Sequence, residues 1–239
     1  MWVAVTIAIL AAFAAAYFLA PRKPKVRSEF KPYGQIRQDL IDELADADST
    51  VHPAPVRPPN LDMRLPAAKA DEIARLFPPS QNDWPRFMKL WNELRDSVDA
   101  EFAAIDDSHT YWFELVSPAR RAILLVDAFE SEVNNGQFDQ YYLNTAGDGA
   151  AWLPEALRLL KQDHVAQMVE RCNAVFPNGP ARERSIRLAA MDDLAEAHRE
   201  VWSKATDEFF ELPLPFGGLA VGSGVPFVLA NRDEFFKSS

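Results

Sequence analysis

The residues best suited to chemistry in this sequence lie close together, within residues 131–144. This segment concentrates amides, carboxylates and aromatic rings, and its candidate site residues are Glu132, Asn134, Asn135, Gly136, Phe138, Asp139, Gln140 and Asn144. In a functional interpretation, Glu132 and Asp139 act as acid or base in a polar pocket, and the amides orient a ligand.

A structural interpretation of the same segment assigns its polar groups to backbone hydrogen bonds. Asn135 and Gly136 then form a left-handed helix C-cap, and Asn134 and Gln140 satisfy backbone groups that the helix ends leave unpaired. The aromatic residues pack in the core: Phe138, Tyr141 and Tyr142. We favour this interpretation, because neither a nucleophile nor a set of metal ligands accompanies the segment.

Other catalytic or metal-binding chemistry has little support in the sequence. The four histidines are scattered without metal-ligand spacing, at His52, His109, His164 and His198. Cys172, the one cysteine, is expected to be a small buried apolar residue. The glycines of residues 217–224 fit neither a phosphate loop nor a dinucleotide site. We therefore expect no enzymatic activity, no cofactor and no metal site.

Composition and charge indicate a folded, acidic protein. The 239 residues are 48% hydrophobic and 11% aromatic, which is enough to fill a packed core, in one domain with an appendage or in two small domains. The chain has 25 Lys and Arg against 35 Asp and Glu, a net charge of −10. Direct binding to nucleic-acid phosphates through a basic face is therefore not expected.

The first 20 residues carry no charged side chain and match the length of a transmembrane helix. Four basic residues follow, Arg22, Lys23, Lys25 and Arg27, and the positive-inside rule places the rest of the chain in the cytoplasm. The less favoured alternative is a cleaved signal peptide, since residues 14–16 are small. Alanines at every fourth position also allow weak self-association of the helix, at Ala4, Ala8, Ala12 and Ala16.

Residues 21–64 are expected to link this membrane helix to the main domain. They comprise the basic juxtamembrane segment, a short acidic amphipathic helix within residues 35–48 and a proline-rich spacer. The spacer prolines prevent regular structure because they lack the N–H donor and fix φ. We place the start of the main domain, residues 65–239, at the end of this spacer.

The main domain is predicted to be a compact all-α bundle of roughly six helices, because apolar residues recur at three- and four-residue steps. The expected helices are 67–77, one carrying Phe87 to Ile105, one opened by Ser117 and Pro118 and stopped by Asn135 and Gly136, then 152–160, 165–175 and 181–212. The third is expected to bury Ala122, Val126, Phe129 and Val133, and the last Leu194, Ala197, Val201 and Ala205. The tail from residue 213, rich in glycine and proline, is predicted to be loop or short strand.

The segment at residues 132–144 also resembles a bacterial family. Glu132-Val133-Asn134-Asn135-Gly136, followed by Phe138, Gln140, Tyr141 and Asn144, with Ala156-Leu157 and Phe176 downstream, is similar to a bacterial domain of unknown function found in a DNA-mimic protein. Gln137 stands where that family commonly has a second glycine. The resemblance covers about residues 65–212 and implies an all-helical fold without catalysis. For the DNA-mimic member it implies an acidic surface that occupies the DNA site of a transcription factor.

Charge within the main domain bears on whether such mimicry applies here. Residues 65–239 carry 17 Lys and Arg against 28 Asp and Glu, a net charge of −11. One row of carboxylates is Glu93, Asp96, Asp99, Glu101, Asp106 and Asp107, and a second is Asp192, Asp193, Glu196 and Glu200. The alternative, which we favour, is ordinary solvated helix faces partly neutralised by Arg95, Arg182, Arg184, Arg187 and Arg199.

Together these observations predict a non-catalytic interaction protein. We expect it to be anchored in the bacterial inner membrane through residues 1–20, with its acidic domain in the cytoplasm binding a DNA-binding or other basic protein. The alternative function is a small-molecule or enzymatic pocket around residues 132–140.

Overall fold

Nine α-helices occur in the part of the chain that the computed structural model describes, residues 61–105, 115–215 and 217–238. They are α1 (Ala67–Leu76), α2 (Trp84–Ile105), α3 (Pro118–Leu143), α4 (Leu153–Leu159), α5 (Asp163–Asn173), α6 (Arg184–Asp192), α7 (Glu196–Glu211), α8 (Gly224–Ala230) and α9 (Arg232–Phe235). Within these ranges the only β-type pairing is an isolated bridge between Leu65 and Phe236. The prediction of an all-α fold is confirmed.

The predicted transmembrane helix, juxtamembrane segment and spacer fall almost entirely outside the described residues. Among the helices of the described ranges, none combines the length and apolar character needed to cross a bilayer. The membrane anchor at residues 1–20 therefore stays a prediction.

The end of α1 and the start of α3 lie where local sequence signals predict them. α1 stops before Pro78 and Pro79, which disfavour a helical conformation at the residue that precedes each of them. α3 opens with Ser117, whose side chain accepts a hydrogen bond from the backbone N–H of Arg120 at 3.4 Å, and with Pro118 in its first turn.

The core is organised around α3. The predicted stripe of Ala122, Val126, Phe129 and Val133 is fully buried. Against it lie the buried side chains of α2, among them Phe87, Leu90, Leu94, Val98 and Phe102, as the spacing predicted. The Phe129 ring meets the rings of Phe138, Tyr141 and Phe209 edge-on, at centroid distances of 5.5, 5.1 and 5.7 Å. Two of these aromatic contacts lie within α3, and the third packs α3 against α7.

The single long helix predicted over residues 181–212 is wrong, since the chain breaks between α6 and α7. Ala195 has an extended conformation, with φ −62° and ψ 154°. The Arg199 guanidinium donates to the Met191 carbonyl at 3.1 Å and so satisfies a carbonyl at the end of α6. The break also rotates the predicted apolar stripe, because Ala197 is exposed and Val201 only half-buried. α7 instead buries Trp202, Ala205, Thr206 and Phe209.

The tail after residue 213 is helical rather than loop or strand, which corrects the prediction made for it. A π-helical turn, Leu219–Ser223, leads into α8 and α9. Its apolar side chains complete the core, namely Leu219, Val221, Val225, Val228 and Phe235. At Gly224 a Cβ atom would lie 2.9 Å from Trp91, so this glycine allows close helix packing instead of forming a flexible turn.

Candidate functional site

The segment that the sequence singles out is a kink within α3. The helical conformation is lost at Gly136 (φ −156°, ψ 27°) and Gln137 (φ 71°, ψ −171°) and resumes to Leu143. The predicted interruption at Asn135 and Gly136 is thus present, but the predicted left-handed cap at Gly136 is wrong. The positive φ falls on Gln137, the position at which the resembling family commonly has glycine. A non-glycine residue is strained in this conformation.

The candidate residues of the kink do not converge on one pocket. Asn134, Asn135 and Asp139 are exposed, whereas Phe138 is fully buried, as predicted. The Gln140 side chain covers the backbone at Gly136, where a Cβ atom would lie 2.3 Å from its Oε1 atom. Among the described residues, neither Asn134 nor Gln140 has the side-chain hydrogen bond to backbone that the structural interpretation assigned to it.

Glu132 and Asn144 form a direct link across the kink. The Asn144 side-chain amide donates to Glu132 Oε2 at 2.9 Å. Glu132 also lines an open cavity of about 270 Å³ together with Arg95, Asp99 and Asp127. Burial raises the pKa of Asp127 above its ordinary value, and the Arg95 guanidinium, 3.4 Å from the Asp127 carboxylate, opposes this shift without cancelling it.

A buried guanidinium fixes the end of α3 just beyond the kink. Arg187 has no exposed surface and makes five hydrogen bonds. It donates to the carbonyls of Tyr142, Asn144, Ala181 and Arg182 and to the Asp148 carboxylate, at 2.7 to 2.9 Å. At Gly147 a Cβ atom would lie 2.8 Å from Arg187 Nε, so only glycine leaves room for this side chain.

The role of Arg187 was missed in the sequence, where it counted only as a surface cation near an acidic row. The available signal was its spacing, because Leu188 and Met191 define the buried face of α6 and Arg187 lies one and four residues away from them. Its partner Asp148 has a pKa raised by burial, an effect that the attraction of Arg187 opposes.

A half-buried carboxylate performs the converse role for the tail. Glu130, on α3, accepts hydrogen bonds from the backbone N–H groups of Leu219 and Ala220, both at 2.8 Å. Gly218, with φ 80°, brings the chain so close that a Cβ atom there would lie 2.1 Å from Glu130 Oε1. Burial raises the pKa of Glu130 despite these two hydrogen bonds. Sequence reasoning gave no role to Glu130.

The first predicted row of carboxylates, on α2, is not a continuous exposed surface. Glu101 is 2% exposed and forms a buried ion pair with Arg120, whose guanidinium also donates to the carbonyls of Ser97 and Glu234. Glu93 pairs with Lys69 at 2.8 Å. Asp106 and Asp107 lie outside the described residues. Including Glu101 in an outward-facing row was therefore wrong.

The second predicted row is exposed throughout. Its members are Asp192, Asp193, Glu196 and Glu200, and we call them the α6–α7 acidic edge. Three of the arginines expected to neutralise it donate to backbone carbonyls. Arg187 is buried, Arg184 donates to the Leu143 carbonyl at 2.8 Å, and Arg199 donates to the Met191 carbonyl.

Two further expectations concern reactive groups. Cys172 is fully buried, and burial raises the pKa of its thiol to about 12, so it is held as an uncharged thiol at neutral pH. Across the described ranges, no group of three or more histidine, cysteine or acidic side chains is arranged to hold a metal ion.

The geometry defines an all-α domain in which buried charges hold helix ends and backbone turns together. The comparison with family models agrees with the resemblance found in the sequence: residues 114–217, a little under half of the chain, match the family described as DMP19-like protein. This segment is therefore similar to a domain family of unknown function. No curated protein and no solved structure matches the chain.

Proposed function

We propose that this protein is a non-catalytic interaction module whose acidic domain binds a basic surface of another protein, such as the DNA-contacting surface of a DNA-binding protein. The observation that carries the proposal is the α6–α7 acidic edge, in which Asp192, Asp193, Glu196 and Glu200 are all exposed. A surface of one charge sign raises the rate of encounter with a partner of opposite charge and disfavours like-charged partners.

The spacing within the edge suits a row of positive charges. Asp192 and Asp193 end α6, and Glu196 and Glu200 lie one turn apart on α7, so their Cβ atoms are separated by about 5–6 Å. Glu200 pairs with Lys204 at 2.9 Å, but both side chains are more than 60% exposed and such a pair is readily exchanged for another.

The test is affinity capture of the full-length protein in mild detergent from its native cells, with washes at low and at high salt. We expect a basic partner to be retained at low salt and released at high salt. The variant Asp192→Asn, Asp193→Asn, Glu196→Gln, Glu200→Gln should lose that partner.

The matched control neutralises four exposed carboxylates elsewhere, with Glu155→Gln, Asp163→Asn, Asp207→Asn and Glu211→Gln, and so makes the same change in net charge. It should keep the partner. Equal loss from both variants would show that net charge rather than the edge is recognised. A partner retained equally by the wild type and both variants would count against the proposal.

The membrane anchor belongs to the same proposal. An uncharged segment of 20 residues followed by four basic residues supports a single-pass helix with the domain on the cytoplasmic side of the inner membrane. We expect the full-length protein to resist carbonate extraction from membranes, and a variant that lacks residues 2–20 to be released. Protease should cut the domain in inverted membrane vesicles but not in intact spheroplasts.

A second candidate function is a small-molecule pocket, and the cavity lined by Glu132, Arg95 and Asp127 favours it. Glu132→Ala separates a site from a structural role. A ligand would be sought by the shift it causes in the unfolding temperature of the wild type. Loss of that shift with the fold intact identifies a site, whereas loss of the fold identifies a structural residue.

A further inference from the structure

An open cavity lies between the end of α4 and the tail helix α8. Its volume is about 420 Å³, which is within the range of small-molecule sites in proteins. One wall is formed by residues 159–162, where α4 ends and α5 begins, and the other by residues between 223 and 231, along α8. The cavity shares no lining residue with the cavity at Glu132 and includes no member of the α6–α7 acidic edge, so it is a separate candidate site.

The greater part of this lining is apolar and reaches the surface. The apolar lining residues are Leu159, Leu160, Pro226, Phe227 and Ala230. Leu159 is 39% exposed, and Pro226 and Ala230 are exposed as well. One ligand can cover several of these side chains at once, which distinguishes the cavity from a single exposed apolar residue. The walls therefore suit a hydrocarbon chain.

The polar part of the lining offers hydrogen-bond donors and one positive charge. Lys161 is the only charged residue that lines the cavity, and the carboxylates nearest to it in sequence on either side, Glu155 and Asp163, are exposed outside the lining. The Gln162 side-chain amide donates to Ser223 Oγ at 2.8 Å and so connects the two walls. Because a hydroxyl can accept one hydrogen bond and donate another, Ser223 can still donate its proton to a ligand oxygen. These groups suit an anionic head group.

The backbone at Lys161 is strained. Its N–H donates to the Arg158 carbonyl at 2.9 Å, and the N–H of Gln162 donates to the Leu157 carbonyl at 2.8 Å, a helix ending that usually has glycine at this position. Lys161 has a φ of 61°, and within the described ranges Gln137 is the only other non-glycine residue with a positive φ. Strained residues of this kind occur often at ligand sites. A lysine at a helix C-terminus also gains from the negative partial charge there, so the two roles must be separated by experiment.

We infer that this cavity binds an amphiphilic carboxylate. The hydrocarbon chain lies along the apolar walls, and the carboxylate accepts hydrogen bonds from the Lys161 ammonium group and the Ser223 hydroxyl. One cation and one hydroxyl suit a head group with a single negative charge. The inference goes beyond the proposed function and does not depend on it. The net charge of −11 on residues 65–239 disfavours anions in general, so a preference for a carboxylate has to come from these local groups.

Short water-soluble amphiphiles serve as probes: hexanoate, octanoate, 1-hexanol and hexylammonium. Their binding to the full-length protein in mild detergent is measured by isothermal titration calorimetry, with protein-free micelles as the blank. We expect hexanoate to bind more tightly than the neutral alcohol or the cation of the same chain length. Octanoate should bind about tenfold more tightly than hexanoate, because it buries two further CH₂ groups.

Two pairs of variants test the head-group contact and the walls. Lys161→Gln should weaken octanoate binding about fivefold and leave 1-hexanol binding unchanged, whereas Lys204→Gln, which removes an exposed lysine outside the lining, should change neither. Ala230→Phe fills the cavity and should abolish binding of both probes. Its control is Ala197→Phe, at an exposed alanine of α7, which should bind both as the wild type does.

Three outcomes overturn the inference. Octanoate fails to bind, or 1-hexanol or hexylammonium binds as tightly as hexanoate, or Lys161→Gln changes the unfolding temperature and leaves octanoate binding unchanged. The last result would assign Lys161 to the helix end alone. Because Lys161 is exposed, its variant is expected to fold, so it decides the question even if Ala230→Phe disturbs α8. None of these results bears on partner binding by the acidic edge.

Discussion

The kink of α3 and the tail after residue 213 each have a structure opposite to the one that their composition suggests. The kink segment is rich in side chains able to do chemistry, yet these separate into surface amides, a core phenylalanine and the Glu132–Asn144 link. The tail is rich in glycine and proline, yet it forms helices inside the core. The polar side chains of the kink segment therefore do not by themselves indicate a functional site. Such a site is better sought on the other exposed surfaces.

A charged side chain at a helix end stabilises each of the two regions. Beyond the kink, the Arg187 guanidinium donates to carbonyls at the C-terminal end of α3, where unpaired acceptors and negative partial charge accumulate. In the tail, the Glu130 carboxylate accepts hydrogen bonds from N–H groups at the start of a helical stretch. Unpaired donors and positive partial charge accumulate at such a start. Each side chain thus has the charge sign that its helix end requires.

The largest effect is expected from Arg187→Lys. An ammonium group has three donors where the planar guanidinium has five, so it leaves buried carbonyls and the Asp148 carboxylate without partners. We expect the free energy of unfolding to fall by about 3–5 kcal/mol, measured by urea denaturation followed by far-UV circular dichroism.

Arg184→Lys is the control for that variant, since Arg184 is half-exposed and makes one hydrogen bond, to the Leu143 carbonyl. It should cost no more than about 1.5 kcal/mol. If both substitutions cost the same, Arg187 does not have the special role in holding the end of α3 that we assign to it.

A smaller but substantial effect is expected from Glu130→Ala, which tests the tail. Two backbone N–H groups lose their acceptor, so the free energy of unfolding should fall by about 2–4 kcal/mol. Hydrogen exchange should become faster at the amides of Leu219 and Ala220. The neighbouring Glu132→Ala removes one half-buried hydrogen bond and should cost about 0.5–1.5 kcal/mol. If Glu132→Ala lowers the free energy of unfolding more than Glu130→Ala does, the contrast between tail and kink is wrong.

Gln137→Gly tests the backbone conformation at the kink itself. The conformation at Gln137 is one that glycine adopts freely and that strains other residues by about 1–3 kcal/mol. Glycine costs about 0.5–1 kcal/mol in lost chain entropy, so the net expectation is a gain of about 1 kcal/mol in unfolding free energy. Asn135→Gly, two residues earlier in helical geometry, should instead destabilise by up to about 1 kcal/mol. Both are measured by urea denaturation, and effects of the same sign would contradict the kink geometry.

The sequence was sufficient for the fold class and for most helices, because apolar spacing and capping residues are local signals. Ser117 with Pro118, and the stripe from Ala122 to Val133, act through neighbours within a few residues. The family resemblance at residues 132–144 was likewise carried by a local motif, and the match at residues 114–217 confirms it.

The parts that failed depend on contacts between distant residues. The break before α7 has no glycine or proline, and its Arg199 bond to Met191 is invisible in sequence. The helical start of the tail is held by Glu130, whose carboxylate accepts hydrogen bonds from the N–H groups of Leu219 and Ala220. Leu219 is 89 residues away from Glu130 in sequence. Likewise, the spacing of Glu101 predicts an exposed carboxylate, whereas the residue is buried in an ion pair with Arg120. An ion pair between residues that are distant in the sequence creates no periodic pattern from which the burial could be predicted.

The smallest effect is expected in the pH dependence of stability at Asp127, in the first half of α3. Because burial raises its pKa in the folded protein above the ordinary value of 3.8, the folded state binds the proton more tightly than the unfolded state. This contribution to stability is complete below that ordinary value and is lost as the pH rises through the raised one.

Asp127→Asn removes this titration, so the stability of the wild type relative to the variant should decline from about pH 4 upward. Urea denaturation at a series of pH values measures it. Asp96→Asn, which changes an exposed carboxylate 3.6 Å from the same Arg95 guanidinium, should keep the pH dependence of the wild type. A wild-type advantage that instead grows with pH would mean that the attraction of Arg95 outweighs burial. The region around Asp127 would then gain stability from an ionised carboxylate.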